Sequence, residues 1–162
     1  MVLKFLASGK GSLDLEVTNR VYAPGEFVDV VAHLQTKKNL GPGRLFAALT
    51  CIEEVRTWDT DMDGDRTRKT DRTEIFRWEQ DLAIDASFPS GTNERIPFTM
   101  QIPRGPDHEP PPEGAPSWVS TVMDVFSAMA AANRKVWWEI EARYDIPKLD
   151  LRDDVRLSVN GF

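Results

Sequence analysis

The side chains best suited to chemistry gather in one stretch. Asp59-Thr60-Asp61-Met62-Asp63-Gly64-Asp65 sets four aspartates on alternate positions, with a glycine for the bend. Ca2+ is held by about six to eight oxygens, and carboxylates at the first, third and fifth positions of a tight loop converge on one point, as in the first half of a calcium-hand loop. Here the twelfth position is Thr70 instead of a bidentate glutamate, and Arg66, Arg68 and Lys69 crowd the region with positive charge, so Asp71 or Glu74 would have to stand in. The stretch therefore has two readings. Asp59, Asp61, Asp63 and Asp65 are Ca2+ ligands, or they belong to a solvated hairpin connection in which aspartates favour the turn and balance the basic residues that follow.

The basic run that follows, Arg66, Arg68, Lys69 and Arg72, is also open to two readings. It is a clasp for a phosphate or an acidic partner, because arginine forks match such groups bidentately, or it is an exposed strand face. No arrangement for covalent or acid–base catalysis accompanies it. His33 falls on the polar face of a strand and His108 in a proline-rich loop, and Cys51 has no obvious base. No nucleophile elbow, phosphate-binding loop or dinucleotide fingerprint occurs. The expectation is a protein that is not an enzyme.

Bulk properties narrow the setting. The net charge of −6 disfavours non-specific attachment to nucleic acid or anionic membranes. Hydrophobic residues at 41% and charged residues at 28% fit a packed core, and 162 residues suffice for one domain spanning 1–162 without staples. Cys51 is the only cysteine, so no internal disulfide can form, which points to a reducing compartment. The short apolar run near Met1 is below the length of a signal-peptide core or a membrane span, so a cytoplasmic protein without integral membrane contact is expected.

The elements that must position these residues are legible from period-two alternation. Leu13, Leu15 and Val17 mark a first strand; Tyr22 to Glu26, with Pro24 and Gly25, is a corner; Val28, Val30, Ala32 and Leu34 share one face of a second strand. After a loop at 37–43, Arg44 to Trp58 is a long strand, and Thr73 to Ile84 another, with Phe76, Trp78, Leu82 and Ile84 on its buried face. Ile96 to Pro103 is a strand in which Pro97 requires the start or a sheet edge. Five prolines between Arg104 and Pro116 make a connector. From Ser117 to Asn133 the period becomes helical, with Trp118, Val122, Val125, Phe126 and Met129 as the apolar stripe. Val136 to Ile146 and Val155 to Val159 close the chain as strands. Seven or eight strands of this kind point to an antiparallel β-sandwich, with a closed barrel as the structural competitor. Trp137 lies on the opposite parity from Trp138, so it needs a covering element or an interface.

Three segments resemble the arrestin-like superfamily, which takes in the sporulation-control proteins and the retromer cargo subunit: Tyr22-Ala-Pro-Gly-Glu-Phe-Val-Asp-Val-Val31, Gly91 to Pro103 with its proline-phenylalanine strand, and Val136 to Pro147. Departures are Asp29, where glycine is usual, and the helix at 117–133. The resemblance implies an all-β, immunoglobulin-like sandwich of the arrestin N-domain type with one inserted amphipathic helix, working by holding partners. Receptor binding and a polar-core switch are not carried over. The functional expectation is a protein-interaction module, an adaptor or scaffold, whose partner is another protein or a second copy. Arg66, Arg68, Lys69, Arg72 and Trp137 are its candidate partner-binding residues. The alternative is a Ca2+-binding sandwich regulated through the aspartate loop at 59–65.

Overall fold

The computed structural model describes residues 9–104 and 134–160. The corner at Ala23-Pro24-Gly25-Glu26 shows why those residue types occur together. Pro24 presets the turn, Gly25 takes a φ of 84° that L side chains resist, and the Glu26 N–H donates to the Ala23 carbonyl at 3.2 Å. The Glu26 carboxylate turns back to accept the Ala23 N–H at 2.8 Å. The same corner is tied to the far end of another strand: the Gly25 N–H donates to Ile102 and the Ile102 N–H to Glu26, at 3.0 and 2.9 Å.

Eight strands are described. β1 (Gly11–Val17), β3 (Phe27–Thr36) and β6 (Asn93–Gln101) form an antiparallel sheet in the order β1-β3-β6. β2 (Val21–Tyr22), β4 (Leu40–Thr60), β5 (Arg66–Phe88), β7 (Arg134–Ile146) and β8 (Leu149–Val159) form a second sheet in the order β2-β8-β7-β4-β5. Within it only the short β2–β8 pairing is parallel. The inner faces meet in one core: Val28, Val30 and Leu34 from the smaller sheet, Leu49, Trp138 and Ile140 from the larger, all fully buried. Two separate hydrogen-bonded sheets with their apolar faces together make a β-sandwich, not a closed barrel.

Two devices fix how the parts sit. The Tyr144 hydroxyl lies 2.6 Å from the Gly41 carbonyl and 2.8 Å from that of Ala86, so one buried phenol ties together the start of β4 and the end of β5. Its ring packs edge-on against Phe88, at 5.3 Å between centroids. Gly43 is required beside it, because a Cβ there would collide with the Asp145 carbonyl and the Ile146 side chain. On the other flank Asp153, from the inward side of β8, accepts the Leu15 N–H at 2.8 Å, capping a free backbone donor on edge strand β1 and linking the two sheets. Burial raises the Asp153 carboxyl above its ordinary value, with the charges of Asp14 and Asp154 adding to the effect and the hydrogen bonds to Leu15 and Asp154 opposing it.

The structure revises several expectations. The β4–β5 hairpin is far longer than apolar alternation indicates, because its outer half is polar on both faces and carries no hydrophobic period. The region at 37–43 is only partly loop, since β4 already starts at Leu40. Ile84 is 67% exposed instead of buried, since register shifts between Gly43 and Phe46 break the parity on which it was assigned. Pro97 does sit on a sheet edge, in β6. The helix expected over 117–133 lies outside the described residues, which contain no helix.

Gly43→Ala is expected to lower the unfolding free energy by about 1–3 kcal/mol, the usual cost of overpacking, as measured by urea denaturation. For Asp153 the sign follows from its raised value. The native state holds this proton more tightly than the unfolded chain does, so the contribution to stability is greatest in acid and is lost as pH rises through the native pKa. Asp153→Asn retains an acceptor for Leu15 without the charge. It is expected to unfold at higher urea than the parent near pH 7, with the difference disappearing near pH 4.

Candidate functional site

Outside the sandwich the hairpin continues as a ribbon. β7 accompanies β4 as far as the Val55–Arg134 pair, and beyond it Arg56–Thr60 is paired only with residues 66–70 among the described residues. Alternation sorts the charges between two faces. Glu54 opposite Arg72, Arg56 opposite Thr70, Trp58 opposite Arg68 and Thr60 opposite Arg66 share the outer face. Val55 with Asp71, Thr57 with Lys69 and Asp59 with Thr67 share the other. Arg66, Arg68 and Arg72 are thereby brought together. Lys69 is not: it points the other way, 3.6 Å from Asp71.

Glu54 organises the basic face. Although charged, it is only 5% exposed, and each of its oxygens has its own arginine: Arg56 Nε donates to Oε1 at 2.9 Å and Arg72 Nε to Oε2 at 3.0 Å. The hydrogen bond from Arg72, then that from Arg56, holds the Glu54 carboxyl below its ordinary value. Both arginines make these contacts through Nε. Arg68 has no carboxylate partner among the described residues, and Glu54, Arg56, Arg68, Thr70 and Arg72 line an open groove. Three guanidinium groups and one carboxylate leave this groove positive on a chain whose net charge is −6.

Trp137 extends the same face. Its ring lies 4.2 Å beneath the Arg156 guanidinium and 5.7 Å from that of Arg72, and its Nε1 donates to Glu139 at 2.7 Å. The cover that its parity requires is supplied by arginines from β5 and β8. Farther out, Trp58 is 68% exposed and Met62 fully so. Sequence reading did not single out Glu54, Arg56, Trp58 or Arg156, because Arg72 and Trp137, which join them to one face, come from neighbouring strands; only the even spacing of Glu54, Arg56 and Trp58 hinted at a shared face.

The aspartates are arranged as a turn. Asp59 belongs to β4, and the connection to β5 shrinks to residues 61–65. Gly64 has a φ of 84°, the Gly64 N–H donates to the Asp61 carbonyl at 3.1 Å, and Asp61 Oδ1 accepts the Asp65 N–H at 3.0 Å. Among the described residues no group of three or more His, Cys, Asp or Glu lies close enough to hold a metal ion. Elsewhere, His33 Nε2 is 2.9 Å from Glu16 at the surface of the smaller sheet, and His108 lies outside the described residues. Cys51 is buried and its thiol is pushed up to about 12, first by burial and then by the charge of Glu53, so it holds its proton and is a poor nucleophile near neutrality.

No family model matches the chain, and no curated protein matches it. Among solved structures it is similar to Spo0M, a sporulation control protein from Bacillus subtilis, with 18% identity and a TM-score of 0.54 over 96% of this chain and 51% of that one. The chain thus spans about half the length of that structure. At this identity the likeness shows a shared fold, and it falls on a sporulation-control protein, one of the groups that the sequence motifs resemble. No helix among the described residues is long and apolar enough to cross a membrane.

Glu54→Gln tests the organisation of the basic face. A carboxyl held below its ordinary value stabilises the folded state above the unfolded pKa, and that contribution fades as pH falls through the lowered native value. The variant is expected to denature at lower urea than the parent near pH 7, with the gap closing in acid.

Proposed function

We propose that this chain is a non-enzymatic cytoplasmic interaction module, an adaptor that holds another protein along the free edge of β5. One observation carries the reading: β5 is a 23-residue edge strand whose neighbour among the described residues is β4 alone. A strand at an edge presents a row of unpaired N–H and C=O groups, and an extended segment that pairs with them gains main-chain hydrogen bonds while neighbouring side chains provide selectivity. The basic face formed by Arg56, Arg66, Arg68 and Arg72, with Trp58 and Trp137 beside it, borders this edge and favours acidic segments. The arrestin-like motifs and the fold shared with a sporulation-control protein support the same class of role, a sandwich that works by contact. The lone buried Cys51 suits a reducing compartment.

A photo-reactive residue in place of Thr73 on β5 is expected to crosslink a partner in the native cell, whereas the same residue in place of Thr99 on the smaller sheet is not. Amide hydrogen exchange on the captured complex should then slow along β5. Equal crosslinking from both positions, or unchanged β5 exchange, overturns the assignment.

A further inference from the structure

The charges of β5 are ordered along the strand. Up to Thr73 it carries Arg66, Arg68, Lys69 and Arg72 with a single acid, Asp71, and from Glu74 onward it carries Glu74, Glu79, Asp81 and Asp85 with a single base, Arg77. An antiparallel pairing of this strand with itself brings the basic stretch of each copy against the acidic stretch of the other. In a regular strand that order alone would fail, because the arginines occupy even positions and Glu79 and Asp81 odd ones, which alternation sends to opposite faces.

The irregularity beside Cys51 removes the conflict. Cys51 pairs with Phe76 and Ile52 with Glu74, so Ile75 is an extra residue that shifts the parity of β5. Before it, Arg68, Arg72 and Glu74 face outward with Ile52, Glu54 and Trp58; after it, Arg77, Glu79 and Asp81 face outward opposite Thr50, Ala48 and Phe46. The bulge therefore puts the two charge blocks on one face.

We infer that the β5 edge pairs with the β5 edge of a second copy of this chain, antiparallel about a two-fold axis between Ile75 and Phe76. The inference rests on the reading of β5 as a docking edge and names its occupant. In this register Arg72 lies opposite Glu79 of the second copy, Glu74 opposite Arg77, and Thr70 opposite Asp81, which is then diagonal to Arg68 and Arg72. Directly opposed residues on one face approach within about 4.5–5.5 Å between Cβ atoms, close enough for each of these pairs to attract. The interface is isologous, so every favourable pair occurs twice, and two five-stranded sheets become one continuous sheet. Charges on an edge ordinarily repel a like strand; these are ordered so that a reversed copy is the strand they accept.

The test uses charge reversal in the whole chain, with association measured by sedimentation across a range of concentrations. The parent is expected to dimerise. Arg72→Glu places like charges opposite each other on both sides of the two-fold axis, as does Glu79→Arg, and each is expected to weaken dimerisation at least about tenfold. An equimolar mixture of the two variants is expected to regain the affinity of the parent, because the heterodimer restores opposite charges at both pairs; misfolded variants could not show this rescue. Glu94→Arg on the smaller sheet is the control and is expected to leave association unchanged. A monomeric parent, or a dimer indifferent to either reversal or not rescued by mixing, overturns the inference. A monomer whose Thr73 probe still crosslinks another protein overturns only the second copy as occupant, whereas a rescued dimer without foreign crosslinks overturns only the adaptor role.

Discussion

The larger sheet is built outward from β4, and the constraint that governs it is that both edges of this one strand must be matched at once. On one side it follows β7 in unbroken register from Arg44 to Val55. On the other it follows β5 with four shifts, at Leu40/Gly43, Gly43/Leu45, Leu45/Phe46 and Cys51/Ile52. The β7 side is buried in the middle of the sheet, where a displaced residue would strand backbone donors and reverse the apolar face. All the irregularity is therefore displaced to the β5 side, where among the described residues no further strand has to be matched. The position of Gly43 against Asp145, the exposure of Ile84 and the parity change at Ile75 all follow from that asymmetry.

What sequence reading could recover depended on how local the cause was. The corner at Pro24 and Gly25 is encoded within four residues, and each has a role in the turn. The strands of the smaller sheet, and β7, alternate cleanly because one face is buried throughout, so Val28, Val30, Ala32 and Leu34 could be assigned to the core from spacing alone. The outer hairpin gave no such signal. Arg66 to Glu74 would need apolar residues on every second position to register as strand; instead, residues 66–74 are all exposed, and their pairing is imposed by the preceding strand.

The candidate site was legible as composition and not as geometry. Its arginines were visible in the sequence, but Lys69 and Arg68, adjacent in the chain, serve opposite faces, and the acid that arranges Arg72 lies 18 residues earlier on the partner strand. The covering of Trp137 by Arg156 likewise joins residues that only sheet order brings together. In the aspartate stretch the spacing that suits a cation also suits a reversal of the chain, and the contacts of Asp61 with Asp65 and Gly64 are those of a reversal.

The tightness of that reversal also bears on the order in which the molecule assembles. Only five residues separate β4 from β5, so their pairing closes a short loop, whereas β7 reaches β4 after more than seventy intervening residues and β2 meets β8 across most of the sequence. Closure entropy grows with separation, and contacts between sequence neighbours form fastest. On a nascent chain the β4–β5 hairpin can exist before β7 has been synthesised, with the inner side of β4 still bare. The long ribbon then acts as the template on which the rest of the larger sheet is laid down, and the slow steps of folding belong to the distant strands that arrive last.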